Sequence, residues 1–251
     1  MRPLENPDIK EIVKTIHSLG TTLGEETVYR DWCRMFALSI ANSVVPKDCD
    51  LWKRREAQYL ETVKKYSKDD AVKFSEMCAH LTLAFERDPF QDYLGSIYME
   101  LFGGQKKLGQ CFTPIDICKL CAITAIETPV NGEIKTLADE CVGGGAMMIA
   151  ACSHYYDHKV DYQRWLKITC GDIDTLCVHM SYIQLSLIGA RAEVYHRDAI
   201  TRKCWDCFVT PMEILWPMKY GVKKENEAES KEDDSKEGAP RGVSFHIRDK
   251  T

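Results

Sequence analysis

The sequence predicts an α/β protein in which a helical region precedes a parallel β-sheet flanked by helices. Apolar residues recur at helical spacing through residues 9–87, whereas short apolar segments alternate with helical ones through residues 134–196. Each of the three short segments is followed by an aspartate. Such alternation is typical of a parallel sheet with helices packed on it. We therefore expect a helical domain over residues 1–87, an α/β domain over residues 88–218 and a disordered acidic tail over residues 219–251.

Composition and charge indicate a globular protein with a nearly neutral folded body. The chain has 251 residues, of which 45% are hydrophobic and 28% charged, as expected for a globular protein with a packed core. No apolar run marks a signal peptide or reaches the ~18 residues of a membrane span, so we expect a cytoplasmic protein whose 12 cysteines are reduced. The net charge is −5, and residues 221–239 contribute −3 of it, with four lysines against seven acids. The folded body is therefore nearly neutral, and DNA binding would need a local basic patch.

Five helices are predicted before the glycines at positions 103 and 104. The first ends at Gly20, the second ends at Pro46, the third spans residues 51–66, the fourth spans residues 71–85 and the fifth begins near Pro89. The third helix carries five basic residues: Lys53, Arg54, Arg55, Lys64 and Lys65. These residues could lie on a phosphate backbone or form the solvated face of a helical bundle.

The next predicted helix spans residues 115–127, with Thr113 as its N-cap. It contains the first of two Cys-x-x-Cys pairs, which are Cys118/Cys121 and Cys204/Cys207. Together the two pairs could supply four zinc ligands. However, the first pair falls on an apolar helical pattern, in which three-residue spacing marks one buried face. Buried, reduced thiols are the simpler interpretation.

A strand, a glycine turn and a helix form the centre of the predicted α/β domain. Residues 134–138 predict a short strand that leads into Asp139, and residues 146–156 predict the helix. Between them, the chain turns at three glycines: Gly143, Gly144 and Gly145. The N-terminus of a helix presents free backbone N–H groups, and glycine lets a ligand approach the backbone closely. The sequence therefore predicts a ligand pocket at this turn.

Two further strands end at acids, with Asp172 after residues 167–170 and Asp198 after residues 192–196. Ligands of open parallel sheets bind at the carboxyl ends of the strands. Carboxylates there could accept the hydroxyls of a ribose or the exocyclic amine of a base, or they could simply cap helices. The glycine turn lacks the third glycine of the dinucleotide fingerprint. It also begins four residues after an acid, which favours a cationic ligand such as S-adenosylmethionine over a pyrophosphate.

Five segments of this sequence resemble motifs of the adenine-N6 DNA methyltransferases, specifically the modification subunits of type I restriction systems and their short relatives on phages and mobile elements. Residues 92–101 resemble the conserved helix that precedes the cofactor domain. The segment Gly109-Gln-Cys-Phe-Thr-Pro114 is similar to the family's Gly-Gln-Phe-Phe-Thr-Pro motif. The segment Asp139-Glu-Cys-Val-Gly-Gly-Gly145 is similar to Asp-Pro-Ala-Cys-Gly-Ser-Gly, with Glu140 in place of proline. The ribose-binding acid corresponds to Asp172 and the adenine-contacting acid to Asp198.

The resemblance implies a truncated Rossmann-like class I methyltransferase domain, with S-adenosylmethionine as its cofactor and DNA methylation in a restriction-modification system as its setting. The implied cofactor-binding residues are Gln110, Phe112, Thr113, Pro114, Asp139, Gly143, Gly144, Gly145, Asp172, Ile173 and Asp198. The implied partners are DNA and a protein that supplies the missing catalytic or target-recognition half, with no membrane involved.

The catalytic motif of the family, Asn-Pro-Pro-Tyr or Asn-Pro-Pro-Phe, is absent. The nearest segment in order is Thr210-Pro211-Met212-Glu213, so Thr210 and Pro211 are the degenerate catalytic positions. Threonine has no amide carbonyl to accept from the target amine, and Glu213 cannot stack on a flipped base. We therefore expect methyl transfer to be weak alone or to depend on a partner. The alternatives are a non-catalytic interaction or decoy protein of phage origin that acts on a host defence complex, and an inactive truncated product.

Overall fold

The computed structural model describes residues 3–103 and 112–220. The residues it describes lie in one compact unit. The predicted helical region and the described part of the predicted α/β region lie within this unit, and the boundary near residue 87 stays a prediction. The predicted disordered tail lies outside the described residues, except that Lys219 and Tyr220 are helical.

The first part of the chain is helical, as predicted. After a 3-10 turn at Pro3–Glu5, the helices are α1 (Pro7–Leu23), α2 (Glu25–Ser43), α3 (Asp50–Val63) and α4 (Lys68–Arg87). Their starts are encoded locally: Asn6 accepts a hydrogen bond from the Asp8 N–H at the start of α1, and Ser67 and Asp70 form a reciprocal capping box at the start of α4. Helix α1 continues past Gly20, where the sequence predicted its end.

Of the next two helices, the first begins later than predicted, and the second begins at the predicted residue but ends at Ala125 rather than at residue 127. Helix α5 (Tyr93–Phe102) starts after Asp92, whose side chain accepts from the Gly95 N–H, and not near Pro89. Helix α6 (Ile115–Ala125) is capped by Pro114 rather than by Thr113. Pro114 has an extended backbone and therefore occupies the cap position itself, one residue later than the threonine.

The sheet contains the strands β1 (Lys135–Asp139), β2 (Leu166–Asp172), β3 (Ala192–Arg197) and β4 (Cys204–Val209), in that spatial order. The first three strands are parallel, as predicted. Strand β4 runs antiparallel to β3 because only residues 198–203 connect them, which suffices for a hairpin but not for a parallel crossover. The Asp198 N–H donates to the Lys203 carbonyl (2.9 Å) and closes this hairpin.

The remaining helices are α7 (Ala146–Asp157), α8 (Tyr162–Trp165), α9 (Thr175–Leu187) and α10 (Pro211–Tyr220). The sequence predicted α7 and α9 but not α8, which has only one turn. It also missed α10, because residues 205–215 are compatible with one more short strand. Pro211 at the first helical position and Pro217 inside the helix interrupt the apolar pattern that would have marked α10.

The two faces of the sheet differ in their cover. Leu137, Ile168 and Val194 point to the covered face, where they join a core that includes α7 and α9. The alternating residues form the open face, on which Thr136 and Ala138 of β1 are exposed. The helical region joins the same core through α2, whose Tyr29 hydroxyl donates to the Leu94 carbonyl (2.7 Å).

Candidate cofactor site

The glycine turn has the backbone that its sequence predicted. Gly143 and Gly145 have φ angles of +54° and +96°, a region that side-chain-bearing residues rarely adopt. Gly145 is the N-cap of α7 and provides no side-chain cap. The first N–H groups of α7 therefore have no capping side chain and are available to an anionic group of a ligand.

The middle glycine serves packing, a role that the sequence did not reveal. A Cβ on Gly144 would lie 3.0 Å from a carboxylate oxygen of Asp92 and 3.4 Å from the Cα of Gly95. The Gly144 carbonyl accepts from the Gln184 amide (2.7 Å), which also donates to Asp92 (2.8 Å). Gln184 in turn accepts from the Leu94 N–H (3.1 Å). The glycine turn is thus fixed to α5 and α9 by a fully buried network.

Asp92 is the carboxylate at the centre of this network. It is 5% exposed, and burial raises the pKa of its carboxyl group, while hydrogen bonds from Gln184 and Gly95 act in the opposite direction. The N-cap role of Asp92 is predictable from the sequence, because an aspartate before an apolar helical run is a typical N-cap. The role of Gln184 is not predictable in this way, since helical periodicity does not show which partner a glutamine within an apolar helix contacts.

The three predicted strand-end aspartates lie at the same edge of the sheet. In the strand register Asp139 lies opposite Cys170, and Asp172 lies opposite His196. Each acid is therefore two residues farther along its strand than the one before, a step of about 6–7 Å. The acids form a staggered row across the carboxyl ends of β1, β2 and β3.

Each of these aspartates binds backbone N–H groups. Asp139 accepts from Cys141 (2.9 Å), and Asp172 accepts from Gly143 (3.0 Å) and Asp174 (2.9 Å). Asp198 accepts from the N–H groups at positions 200 (2.8 Å) and 201 (3.1 Å), and hydrogen bonds from those two residues lower the pKa of its carboxyl group. The helix-capping role considered from the sequence is wrong, because the N-caps of α7 and α9 are Gly145 and Asp174, and Asp198 is followed by the hairpin to β4. The observed role of the three carboxylates is to hold the backbone of the turns after the strands. It is compatible with ligand binding, since each carboxylate oxygen has further lone pairs.

Residues on both sides of the glycine turn complete the edge. Ile173 is 62% exposed beside Asp172. The Phe112 ring lies so close to Gly143 that a Cβ there would come within 3.1 Å of it. Thr113 and Pro114 line a cavity of about 410 Å³ together with Phe112. The structure thus brings these predicted residues close to the turn, whereas Gln110 lies outside the described residues.

The two predicted catalytic residues are not near the aspartates. Thr210 is fully buried, and its hydroxyl donates to the Ala190 carbonyl (2.8 Å) and accepts from the Ala192 N–H (2.9 Å). Both contacts are at the start of β3, so Thr210 lies at the opposite edge of the sheet. Pro211 is the first residue of α10. The antiparallel direction of β4 causes this separation, and the hydroxyl of Thr210 makes contacts that join β3 to the residue after β4.

The structure provides no support for the zinc alternative. Within residues 3–103 and 112–220, no group of three or more His, Cys, Asp or Glu side chains is arranged to hold a metal ion. Cys118 is buried in the core on α6, in keeping with the apolar face on which it was predicted. None of the helices in these two ranges is long and apolar enough to cross a membrane.

Comparison with known proteins gives one family match. The model of the family described as N-6 DNA Methylase matches residues 90–237, more than half of the chain. No curated protein matches. Two solved structures are similar over most of this chain: a putative class I S-adenosylmethionine-dependent methyltransferase from Listeria monocytogenes (12% identity, TM-score 0.40) and a type I restriction-modification methyltransferase subunit from Streptococcus thermophilus (17% identity, TM-score 0.37). They cover 75% and 73% of this chain, which spans only 53% and 37% of theirs.

Proposed function

This chain belongs to the N-6 DNA methylase family, and we propose that it binds S-adenosylmethionine at the carboxyl edge of its sheet, with methyl transfer to DNA adenine that is weak alone or dependent on a partner. Family membership confirms the resemblance seen in the motifs and S-adenosylmethionine as the cofactor. The observation that supports this location is the convergence of the glycine turn with three strand-end aspartates at one edge.

Each part of the cofactor has a suitable group at this edge. The N-terminus of α7 would receive the ligand's carboxylate, since helix N-termini attract anions. Asp172 would accept the ribose hydroxyls, and Asp198 would accept the exocyclic amine of the adenine. The exposed Ile173 side chain would contact the apolar face of the adenine ring. S-adenosylmethionine supplies an activated methyl group when bound.

The proposal of weak transfer rests on the position of the segment after β4. The amine of adenine is a poor nucleophile because its lone pair is delocalised into the ring. The family therefore places two hydrogen-bond acceptors on the amine and an aromatic ring on the base. Here, Thr210 is buried at the far edge of the sheet, and losing one preorganised polar contact of this type typically costs ~10²–10³ in rate.

A partner protein that supplied these groups would have a surface on which to bind. In the described part of the chain β1 pairs only with β2, so its outer edge offers unpaired backbone groups. Ile117, Leu120 and Ile123 also expose an apolar stripe on α6, the helix that precedes β1 in the chain. An added strand would pair with β1 and place the partner's residues beside Asp139, and the stripe offers the partner a further apolar surface.

The alternative is a non-catalytic protein that binds the cofactor and acts on a restriction or defence complex. The same geometry favours it if no partner restores transfer, because the cofactor edge is complete while the catalytic motif is absent. The two functions differ in one observable, which is methylation of DNA by the chain with or without added modification subunits.

Two measurements test the proposal. Isothermal titration calorimetry with S-adenosylmethionine should show binding of one molecule per chain. Transfer of labelled methyl groups to mixed-sequence duplex DNA at low salt should be little or none for the purified chain. Absence of cofactor binding would refute the cofactor site. Robust transfer that Asp198→Ala abolishes would refute the proposed weak catalysis and show that other residues replace the missing motif.

A further inference from the structure

A second cavity lies where the helical region meets the β3–β4 hairpin. Its volume is about 340 Å³. The walls include Arg34 of α2, Arg54 of α3, His179 of α9, His196 of β3 and Trp205 of β4. Side chains from five elements therefore converge on one space, whose wall holds two guanidinium groups and, from Asp206 of β4, one carboxylate.

The local charge at this cavity is positive. Arg54 and Arg55 share one carboxylate, Asp206, at 2.9 Å and 3.6 Å. Arg55 is nearly buried and also donates to the Cys207 carbonyl (2.8 Å), which fastens α3 to β4. Within the described residues, Arg34 has no hydrogen bond or ion pair to any side chain. Arg54 and Arg55 thus share one acid, and Arg34 adds a further guanidinium group to the wall, so a net positive charge remains at the cavity.

The imidazole of His179 responds to this charge. Burial and the nearby Arg34, His196 and Arg55 together lower the pKa of His179 to about 3, against an opposing effect of Asp174. The ring of His179 packs edge-on against Phe208 (5.6 Å between centroids). An anion in the cavity would relieve the repulsion among these groups.

The cavity opens beside the cofactor edge. His196 lies opposite Asp172 in the strand register, and its Nε2 is 3.2 Å from the Ile173 carbonyl oxygen. At the same cavity, Trp205 is 40% exposed, and its ring lies 4.5 Å from that of His196. Cations beside an exposed aromatic ring suit a ligand that combines phosphate with a sugar or a base. S-adenosylmethionine contains no phosphate, so this cavity is suited to a different ligand.

We propose that this cavity binds a phosphate group of the DNA backbone through Arg34 and Arg54, with the Trp205 ring against the adjoining nucleotide. The DNA origin of the phosphate rests on the proposed function. The basic patch that a nearly neutral protein needs for DNA is then formed by residues from separate elements. A phosphate held here would place the duplex beside the cofactor edge.

The first test measures duplex DNA binding by fluorescence anisotropy over a range of salt concentrations. Arg34→Gln should weaken binding equally for all sequences and should reduce the slope of log K against log [salt] by about one unit. The matched control is Lys68→Gln, which removes an exposed positive charge away from the cavity and should leave the slope unchanged. An Arg34→Gln slope equal to that of wild type, with normal folding, would overturn the proposal.

The second test distinguishes the sources of the phosphate. Inorganic phosphate should shift the NMR signals of the His179 ring in the wild type and should fail to do so in Arg34→Gln. A shift with inorganic phosphate but unchanged DNA affinity in Arg34→Gln would overturn the assignment to DNA in favour of a free phosphate or nucleotide. Calorimetry with S-adenosylmethionine should give wild-type binding in Arg34→Gln, so failure of the cofactor site and failure of this cavity are separately visible.

Discussion

The β1–β2 half of the sheet and the β3–β4 half differ in how their connections place the following residues. After β1, the glycine turn leads into α7 and leaves backbone N–H groups at the carboxyl edge. After β3, a six-residue hairpin reverses the chain, and the residues after β4 arrive at the opposite edge. Under the proposed function, cofactor binding uses residues that both halves leave at the carboxyl edge, since Asp198 begins the hairpin of the second half, whereas the family's catalytic motif needs a strand that ends at this edge. We therefore expect cofactor binding to be separable from methyl transfer in this chain.

The largest effect is expected in the first half, at Gly144. Gly144→Asp would place a Cβ 3.0 Å from Asp92 and a second carboxylate beside one that is already buried. An uncompensated charge of this type should lower the free energy of unfolding by about 3 kcal/mol or more and abolish binding of S-adenosylmethionine. Thermal unfolding and calorimetry measure both effects. Gly144→Ala is the matched control, because it adds the Cβ without the charge and should be less harmful. Equal loss in the two variants would show that space, and not charge, decides.

A smaller effect is expected at Asp172, also in the first half. Asp172→Ala removes the proposed acceptor for the ribose and the acceptor for the Gly143 N–H. Binding of S-adenosylmethionine should weaken by on the order of 1.5–3 kcal/mol, the usual contribution of hydrogen bonds to a charged group. Calorimetry measures the change against Asp157→Ala, which removes an exposed aspartate at the far end of α7. Wild-type affinity in both Asp172→Ala and Gly144→Asp would mean that the cofactor binds elsewhere.

Thr210 tests the second half. Thr210→Val replaces a buried hydroxyl that bonds the backbone at residues 190 and 192, and it should cost about 1–3 kcal/mol of stability. Affinity for S-adenosylmethionine, measured at a temperature where the variant is folded, should not change. Thr210→Ser keeps the hydroxyl and should lose less stability than the valine variant. A loss of cofactor binding in Thr210→Val at full folding would contradict the separation of the two halves.

The smallest effect is expected where the halves are joined at the edge. Glu140, which stands in place of the family's proline, forms an ion pair with Arg197 at 2.6 Å. Half of the Glu140 side chain is exposed, so Glu140→Gln should lower stability by no more than about 1 kcal/mol, and less at high salt. Chemical denaturation at low and high salt measures this difference. A larger loss that salt does not reduce would indicate a buried contact in its place.

Local pattern determined much of this protein. Helical spacing predicted α1 to α4, and short apolar segments ending at acids predicted β1, β2 and β3. The glycines at positions 143 and 145 identified a turn with positive φ, and the motif similarity identified the family. These features are readable because the alternation of side chains along a helix or strand is a property of neighbouring residues.

The direction of β4 is predictable from the length of the connection that precedes it. The connection from β3 has only six residues, which is too short for a parallel crossover. With that direction, Thr210 had to lie at the edge opposite the aspartates, whatever its place in the order of motifs. Motif order selected the segment after β4, but it carried no information about the edge of the sheet at which that segment lies.

Only the tertiary structure decided the contacts that join distant elements. Gly144 is needed because Asp92 and Gln184 from two other helices pack against it. The cavity between the helical region and the β3–β4 hairpin forms because Arg34 and His196, which are far apart in sequence, line the same space. The periodicity of apolar residues predicts neither contact. It shows which side of a helix or strand faces the core, but not which other element packs against that side. The sequence thus determined the elements and the chemistry at their ends, and the packing decided which of those ends act together.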